Sequence, residues 1–354
     1  MRPRTARLIG LLASAIATSM CLSPGPLHAA PSEWTLLPPA PVPSSPGTIR
    51  HGHSAIVDLA HQRMVVFGGF VSGSNAVLST LQTMTLDGTA TWSTLALGGG
   101  PGARFGHSAI VDAPGGRMIV FGGQNLGSLN DLWSLDLSVP SWAALTPAGA
   151  PPPPRFGHAA VFDPVRRRMI VFGGFDGSSY LNDVWVLSLN GTPTWTQLSP
   201  GGTAPSPRDY SSAIYDPVRD RMLVFSGNDG SATPSDVWAL SLGASPEWSA
   251  VATAGSSPAG RLAACAAYDP AGNRMVVFGG WGYVPGPLGD TWELSLSGTP
   301  TWTARALTSI GPTPRYSASM VLDAARGGMV LFAGYASTTS TRDVDFLDLS
   351  GGFA

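Results

Sequence analysis

Six arginines, Arg50, Arg104, Arg155, Arg208, Arg261 and Arg315, open closely similar stretches of this sequence at intervals of 51 to 54 residues. The chain contains no lysine, so each of its fixed cations is a planar guanidinium whose fork of donors matches a carboxylate. Each arginine is followed by an apolar run ending in Gly-Gly or a degraded form of it, and the next residue is often aromatic: Phe70, Phe175, Trp281 and Tyr335. Gln124 and Asn228 fill the remaining two places. Guanidinium groups beside aromatic faces suit a carboxylated or sugar-like ligand, or a peptide, so these arginines and aromatics form the candidate ligand-binding set.

Other chemistry is thinly represented. His53, His107 and His158 share one position, which Ser211, Ala264 and Ala318 fill elsewhere. Three imidazoles could ligate a metal, but they come from separate repeats with no ligand-spaced carboxylate, so neither a metal nor any other cofactor is expected. Cys265 stands where other copies have Ser54, Ser108, Ala159, Ser212 and Ser319, which reads as a small buried core residue. The glutamates are Glu33, Glu247 and Glu293, each aligned to a third or fourth strand, and no acid–base pair is evident for hydrolysis. No phosphate loop, metalloprotease helix or nucleophile elbow is present, so no catalytic residue is assigned.

The elements that must position these groups follow from one copy, Arg155 to Gly174. His158 to Asp163 reads as a strand, Pro164 to Arg168 as a turn, and Met169 to Phe172 as a second strand closed by Gly173-Gly174. A polar loop leads to a third strand, Asp183 to Leu187, and Thr194 to Leu198 supplies a fourth. A lone four-stranded sheet cannot bury both faces, whereas six packed radially can. First strands then start, second strands end and third strands start on one face of the disc, the loop face, where ligands are expected. Third strands open with Asp131, Asp183, Asp236, Asp290 and Asp343 on that face, so the competing reading pairs the arginines with these carboxylates. Blade one has Thr80 there, leaving Arg50 as the arginine expected to lack an acidic partner. On the opposite face Asp58 with Arg63, and the counterparts through Asp269 with Arg274, are expected to hold the hairpin turns, with Gly328 breaking the set.

Ring closure is also legible. Trp92, Trp142, Trp195, Trp248 and Trp302 mark fourth strands, but few residues follow Leu349, while Glu33 to Leu37 matches Thr91 to Leu95. The expected fold is therefore all-β, a six-bladed propeller with four antiparallel strands per blade, in which the N-terminal strand completes the last blade.

The Arg-Phe-Gly-His openings (Arg104 to His107, Arg155 to His158), the Phe-Gly-Gly endings (Phe67, Phe121, Phe172, Phe278) and the Asp-x-Trp strands (Trp133, Trp185, Trp238, Trp292) resemble kelch repeats, in the form common to secreted bacterial and galactose-oxidase-like propellers. The resemblance covers residues 33 to 349 and departs from the pattern at Gln82 and Asp345, which take the Trp position in the outermost repeats. It implies a kelch propeller in which arginines opening these strands anchor acidic peptides. Copper-radical oxidase activity is not implied, because that chemistry needs further Tyr and His ligands on added elements.

Arg2, Arg4 and Arg7 before an apolar run at residues 8–22 and the pair Ala29-Ala30 read as a signal peptide, giving residues 1–29 as signal and 30–354 as one propeller domain. Its removal would leave 17 basic against 22 acidic residues, a formal charge of −5, which with the absence of lysine speaks against nucleic acid. The mature chain would keep one cysteine and no membrane span. These features predict a secreted monomer, periplasmic or extracellular. Its function is expected to be non-catalytic binding of a protein or glycan, possibly acidic in character, at the loop face. The alternative is an enzyme similar to kelch-type sialic-acid mutarotases acting on a carboxylated sugar.

Overall fold

First strands alternate small or apolar residues inward and bury every second position: Ser54–Asp58, Ser108–Asp112, Ala159–Asp163 and Ser212–Asp216 share one burial pattern. Second strands, such as Arg63–Phe67 and Arg274–Phe278, are instead almost continuously apolar, because neighbouring blades cover both their faces. The structure, a computed structural model, describes residues 33–37, 49–284, 286–307 and 310–349. The expected signal segment, residues 1–29, lies outside the described residues.

Six sheets each run first, second, third, fourth strand from axis to rim with antiparallel neighbours, and in blade four Gly201–Gly202 adds an outer fifth strand parallel to Glu247–Ala250. In the last blade, Ser319–Asp323, Gly328–Phe332 and Val344–Asp348 are completed by Trp34–Leu36 from the N-terminus, with Trp34 opposite Leu347. Blades two and three differ from the expected polar loop after Gly-Gly. Their second and third strands, Arg117–Gln124 with Ser128–Asp136 and Arg168–Phe175 with Tyr180–Ser188, continue past the glycines through a bulge into a tight hairpin.

Adjacent blades are locked by a repeated pair. The phenylalanine before each Gly-Gly position packs on the fourth-strand tryptophan of the next blade, Phe67 on Trp142, Phe121 on Trp195, Phe172 on Trp248 and Phe225 on Trp302, at 4.9–5.1 Å between centroids. The seam repeats it. Phe278 meets Trp34 at 5.1 Å and Phe332 meets Trp92 at 4.5 Å, so the N-terminal tryptophan fills the same socket as the others. Trp34 also donates its indole N–H to Thr291 Oγ1 in blade five at 3.0 Å.

A second device closes the axis. In each blade the second residue after the opening arginine adopts positive φ, at Gly52, Gly106, Gly157, Tyr210, Ala263 and Ser317. Its N–H donates to the carbonyl of the same residue in the preceding blade, at 2.6–2.9 Å, and Gly52 completes the circle by donating to Ser317. Six main-chain bonds thus encircle the axis at the loop face. Positive φ alone does not demand glycine, as Tyr210, Ala263 and Ser317 show, but at Gly157 a Cβ would also come 3.1 Å from the Tyr210 ring.

Trp34→Ala is expected to cost about 3–5 kcal/mol in a denaturant melt, since it empties an inter-blade socket and opens the edge of Val344–Asp348. A loss under about 1 kcal/mol would mean that the N-terminal strand does not stabilise the last blade.

Candidate functional site

The six repeat-opening arginines do form a ring on the loop face, but they lie beneath it, each only 0–2% exposed. Arg155 shows the arrangement. Nη1 donates to Asp183 Oδ1 at 2.6 Å and Nη2 to Oδ2 at 2.9 Å, while Nη1 also reaches the Gly173 carbonyl and Nε the Pro153 carbonyl. Arg104 with Asp131, Arg208 with Asp236 and Arg261 with Asp290 repeat the bidentate pair, and Arg315 holds Asp343 through one bond of 2.5 Å. Trp133, Trp185, Trp238 and Trp292 donate their indole N–H groups to the same carboxylates, which explains the Asp-x-Trp spacing: on a strand these residues share a face. Burial alone would raise the Asp131, Asp183, Asp290 and Asp343 carboxyls. The arginine hydrogen bonds and charge outweigh it and hold them below the usual range.

Among the described residues Arg50 has no carboxylate partner, as its sequence context implied. It donates to the Gly68 carbonyl, Thr80 Oγ1 and Gln82 Oε1, and burial lowers its pKa to about 9. It is 0% exposed, so a ligand cannot reach it without displacing Thr80 and Gln82. The guanidinium groups are therefore already occupied inside the protein. What the loop face presents is the next layer outward.

That layer is aromatic. Residues flanking the axis ring pair across each blade, His51 with Phe70, Phe105 with Gln124, Phe156 with Phe175, Asp209 with Asn228, Leu262 with Trp281 and Tyr316 with Tyr335. Rings run edge to edge from Trp281 through Tyr316, Tyr335, His51 and Phe70 to Phe105, at 5.0–5.4 Å between centroids. A second group joins Phe156, Phe175 and Tyr180. The mouth at the axis is lined by the ring residues Gly52, Gly106, Gly157, Tyr210, Ala263 and Ser317, with Tyr210 over Gly157 and its hydroxyl toward Gly106, while Phe70, Phe175, Trp281 and Tyr335 from the candidate set stand one step outward, paired to the residues that precede the ring.

The polar sector, missed from sequence, lies in blade four. Asn228 donates from Nδ2 to the Tyr180 hydroxyl at 3.0 Å and to Asp209 Oδ1 at 3.1 Å, and its carbonyl oxygen accepts from the Tyr283 hydroxyl at 2.9 Å. Asp209 is 6% exposed and, among the described residues, has no cationic partner; burial pushes its carboxyl up to about 6. Its signal was the Arg208-Asp209-Tyr210 opening where blades two and three read Arg-Phe-Gly.

The histidines serve the blade contacts. His107 bonds Ser54 Oγ at 2.9 Å and packs on Phe67, and His158 bonds Ser108 Oγ at 2.8 Å and packs on Phe121. Burial pushes His107 down to about 3 and His53 and His158 well below the usual range. Among the described residues no group of three or more His, Cys, Asp or Glu side chains converges as a metal site. Cys265 is buried in the core, and burial raises its thiol to about 12. On the opposite face Asp58, Asp112, Asp163, Asp216 and Asp269 hold Arg63, Arg117, Arg168, Arg221 and Arg274 at 2.7–2.9 Å. With Gly328 in the sixth place, Arg326 bonds Asp323 instead, at 2.6 Å. That end of the axis opens as an apolar cavity of about 450 Å³ between the first strands. No helix of the described residues is long and apolar enough to cross a membrane.

Two outcomes follow. Arg155→Met should cost about 3 kcal/mol by leaving Asp183 and the Gly173 carbonyl without their donor, whereas Arg50→Met, which strands only neutral oxygens, should cost less in the same melt. Equal losses would remove the distinction. Because burial raises Asp209 from 3.8 to about 6, the stability tied to its protonated form is full below about pH 4 and lost as pH rises through about 6. Asp209→Asn should therefore stabilise the protein at pH 7.5 by about 1–2 kcal/mol and be near neutral at pH 4; a destabilised variant at pH 7.5 would contradict this.

The profile of the KLHDC2/KLHL20/DRC7 Kelch-repeats domain matches residues 27–149, 115–262 and 244–352. Host cell factor 2 of Homo sapiens is 33% identical over 264 residues, which cover 68% of this chain and 31% of that protein. Host cell factor 1 of Rattus norvegicus is 31% identical over 255 residues, 66% of this chain and 12% of that one. The leucine-zipper-like transcriptional regulator 1 homolog of Drosophila melanogaster is 34% identical over 178 residues, 47% of this chain and 17% of that one. The chain spans less than a third of the length of these relatives. Their names, host cell factors and a transcriptional regulator, are not those of exported proteins, and they overturn the expectation of a secreted, periplasmic or extracellular chain. Three arginines before an apolar run are a matter of composition, too weak a signal to set a compartment against these matches. Matched by the family profile from residue 27 to residue 352 and folded into six four-stranded blades, the chain belongs to the kelch-repeat propeller family.

Proposed function

We propose that this propeller is a binding module that holds a segment of a protein partner across the loop-face mouth. The observation that carries the reading is the aromatic layer around the axis, mounted on a closed ring of main-chain hydrogen bonds. Tyr and Trp side chains offer large contact area at low entropic cost, and a rigid mount removes much of the ordering penalty of binding. Phe70, Phe175, Trp281 and Tyr335 are the contacts in this reading, and the six arginines are their foundation rather than the contacts themselves. A mutarotase-like enzyme for a carboxylated sugar would need guanidinium groups facing the ligand, and burial in carboxylate pairs speaks against that use.

Panning the purified chain against a 12-residue peptide library, beside a glycan array, tests the reading. Peptide binding should fall at least tenfold in the Trp281→Ser and Tyr335→Ser variants and persist in Val165→Ser and Val218→Ser, whose side chains are exposed on the opposite face. Peptides indifferent to the loop-face substitutions, or binding to glycans alone, would contradict it.

A further inference from the structure

The mouth has an electrostatic character opposite to the one its arginines suggest. Five of the six guanidinium groups are matched by a carboxylate and the sixth is sealed under Thr80 and Gln82. The axis ring and its aromatic collar contribute no fixed cation, and the His51 imidazole is held neutral by burial, which lowers it to about 4. Apart from the exposed Arg342, which stands outside the collar just before the third strand Val344–Asp348, what remains is Asp209. Its Oδ1 accepts from Asn228, no other side chain of the described residues bonds Oδ2, and no guanidinium lies within ion-pair distance of it.

The surroundings of that carboxylate are rings. Tyr210, next in sequence, lies across the mouth with its centroid 6.3 Å from that of Phe156. Tyr316, across the axis, packs on Tyr335 with 5.4 Å between centroids, and beyond burial and Asp209 it helps to raise the Tyr210 phenol. A carboxylate that has been desolvated without a counter-ion, framed by electron-rich ring faces, is complementary to a cation that can bond the one and lie against the others. An anionic group would meet an uncompensated negative charge and the negative faces of the rings. The two loops flanking the polar sector add Asp176 and Asp229, each held in its own turn by backbone N–H groups rather than by a cation.

We infer that the mouth takes a basic side chain, Arg or Lys, of the partner polypeptide, with Asp209 as its counter-ion and Tyr210, Phe156 and Tyr316 as its walls. The inference rests on the loop-face reading above and specifies the ligand class. Asn228 is the positioning residue: bridging Tyr180, Tyr283 and Asp209, it fixes the carboxylate at the rim. The cost of keeping Asp209 ionised without a partner is recovered when the cation arrives, so this pair discriminates strongly against neutral side chains.

The experiment uses the full chain and the peptides selected from the 12-residue library. Selected sequences should be enriched in Arg or Lys at one position. Replacing that residue by norleucine should weaken binding at least tenfold in the unaltered protein and less than threefold in Asp209→Asn, the two changes removing one interaction. Asp136→Asn, at the end of the third strand Ser128–Asp136 on the opposite face, where the side chain only caps its own turn, should bind within twofold of the unaltered protein, and thermal melts confirm that each variant is folded. Peptides that lose binding on Trp281→Ser yet carry no basic residue would overturn the cation inference and leave the loop-face reading standing. Peptides indifferent to both Trp281→Ser and Asp209→Asn, or no peptide selected at all, would overturn both.

Discussion

A buried guanidinium is the part on which this structure depends. Each repeat-opening arginine is tied by its side chain to its own blade through the carbonyl of the residue after the core phenylalanine, and five of the six also reach the third-strand carboxylate, Arg50 taking Thr80 and Gln82 in its place. Its peptide carbonyl meanwhile accepts the N–H of the second Gly-Gly residue in the preceding blade, as Arg104 does from Gly69 and Arg50 from Gly334. One residue thus fastens two blades. Only arginine has enough donors in a plane to serve a carboxylate and two carbonyls at once, which accounts for its use here in a chain without lysine. Removing such a charge from water is costly, and it is tolerated because nearly every donor has an acceptor.

The same arrangement decides what the loop face can do. With the six repeat-opening guanidinium groups occupied below, the surface around the axis keeps what stands above them, a collar of aromatic rings broken by one acidic sector, while the exposed Arg342 stands farther out, just before the last third strand. Blades one and six depart from the common pairing. Arg50 is held by neutral oxygens, while Asp345, in the position where blades two to five have tryptophan, is buried with Oδ2 making no hydrogen bond and Arg315 3.8 Å from it, and burial raises it to about 6. The pattern loosens where the first and last repeats meet, and there the chain relies on Trp34 and Trp92 instead.

How much of this could be read from the sequence divides by what carries it. Blades, strand order and ring closure were legible because side chains mark them: the Arg-to-Asp spacing, the Phe-Gly-Gly endings and the tryptophan of Glu33 to Leu37. The axis ring was not. It is made by main-chain groups, and three of its members, Tyr210, Ala263 and Ser317, adopt positive φ without being glycine. Residue type offered the arginines to a ligand or to Asp131 and its counterparts with equal ease, since composition does not give depth. The Asp-x-Trp spacing was the available clue, because it places an indole donor beside each carboxylate. Asp209 does not stand out in the sequence, and Asn228 stands there only as the residue after the Gly-Gly position, without a role, for a different reason. They are single departures from the repeat, and their meaning depends on the two neighbouring blades, of which blade three brings Phe156 and Tyr180 and blade five brings Tyr283.

Hydrogen exchange measured residue by residue gives the most direct test that arginine clasps and the axis ring form one cooperative mount. The amides of Gly69, Gly123, Gly174, Gly227, Gly280 and Gly334, which donate to the arginine carbonyls, and those of Gly52, Gly106, Gly157, Tyr210, Ala263 and Ser317 should exchange only through global unfolding. All should share one opening free energy, equal to that from denaturant melts. Fast exchange of these amides by local opening, or exchange blade by blade with separate free energies, would contradict the account.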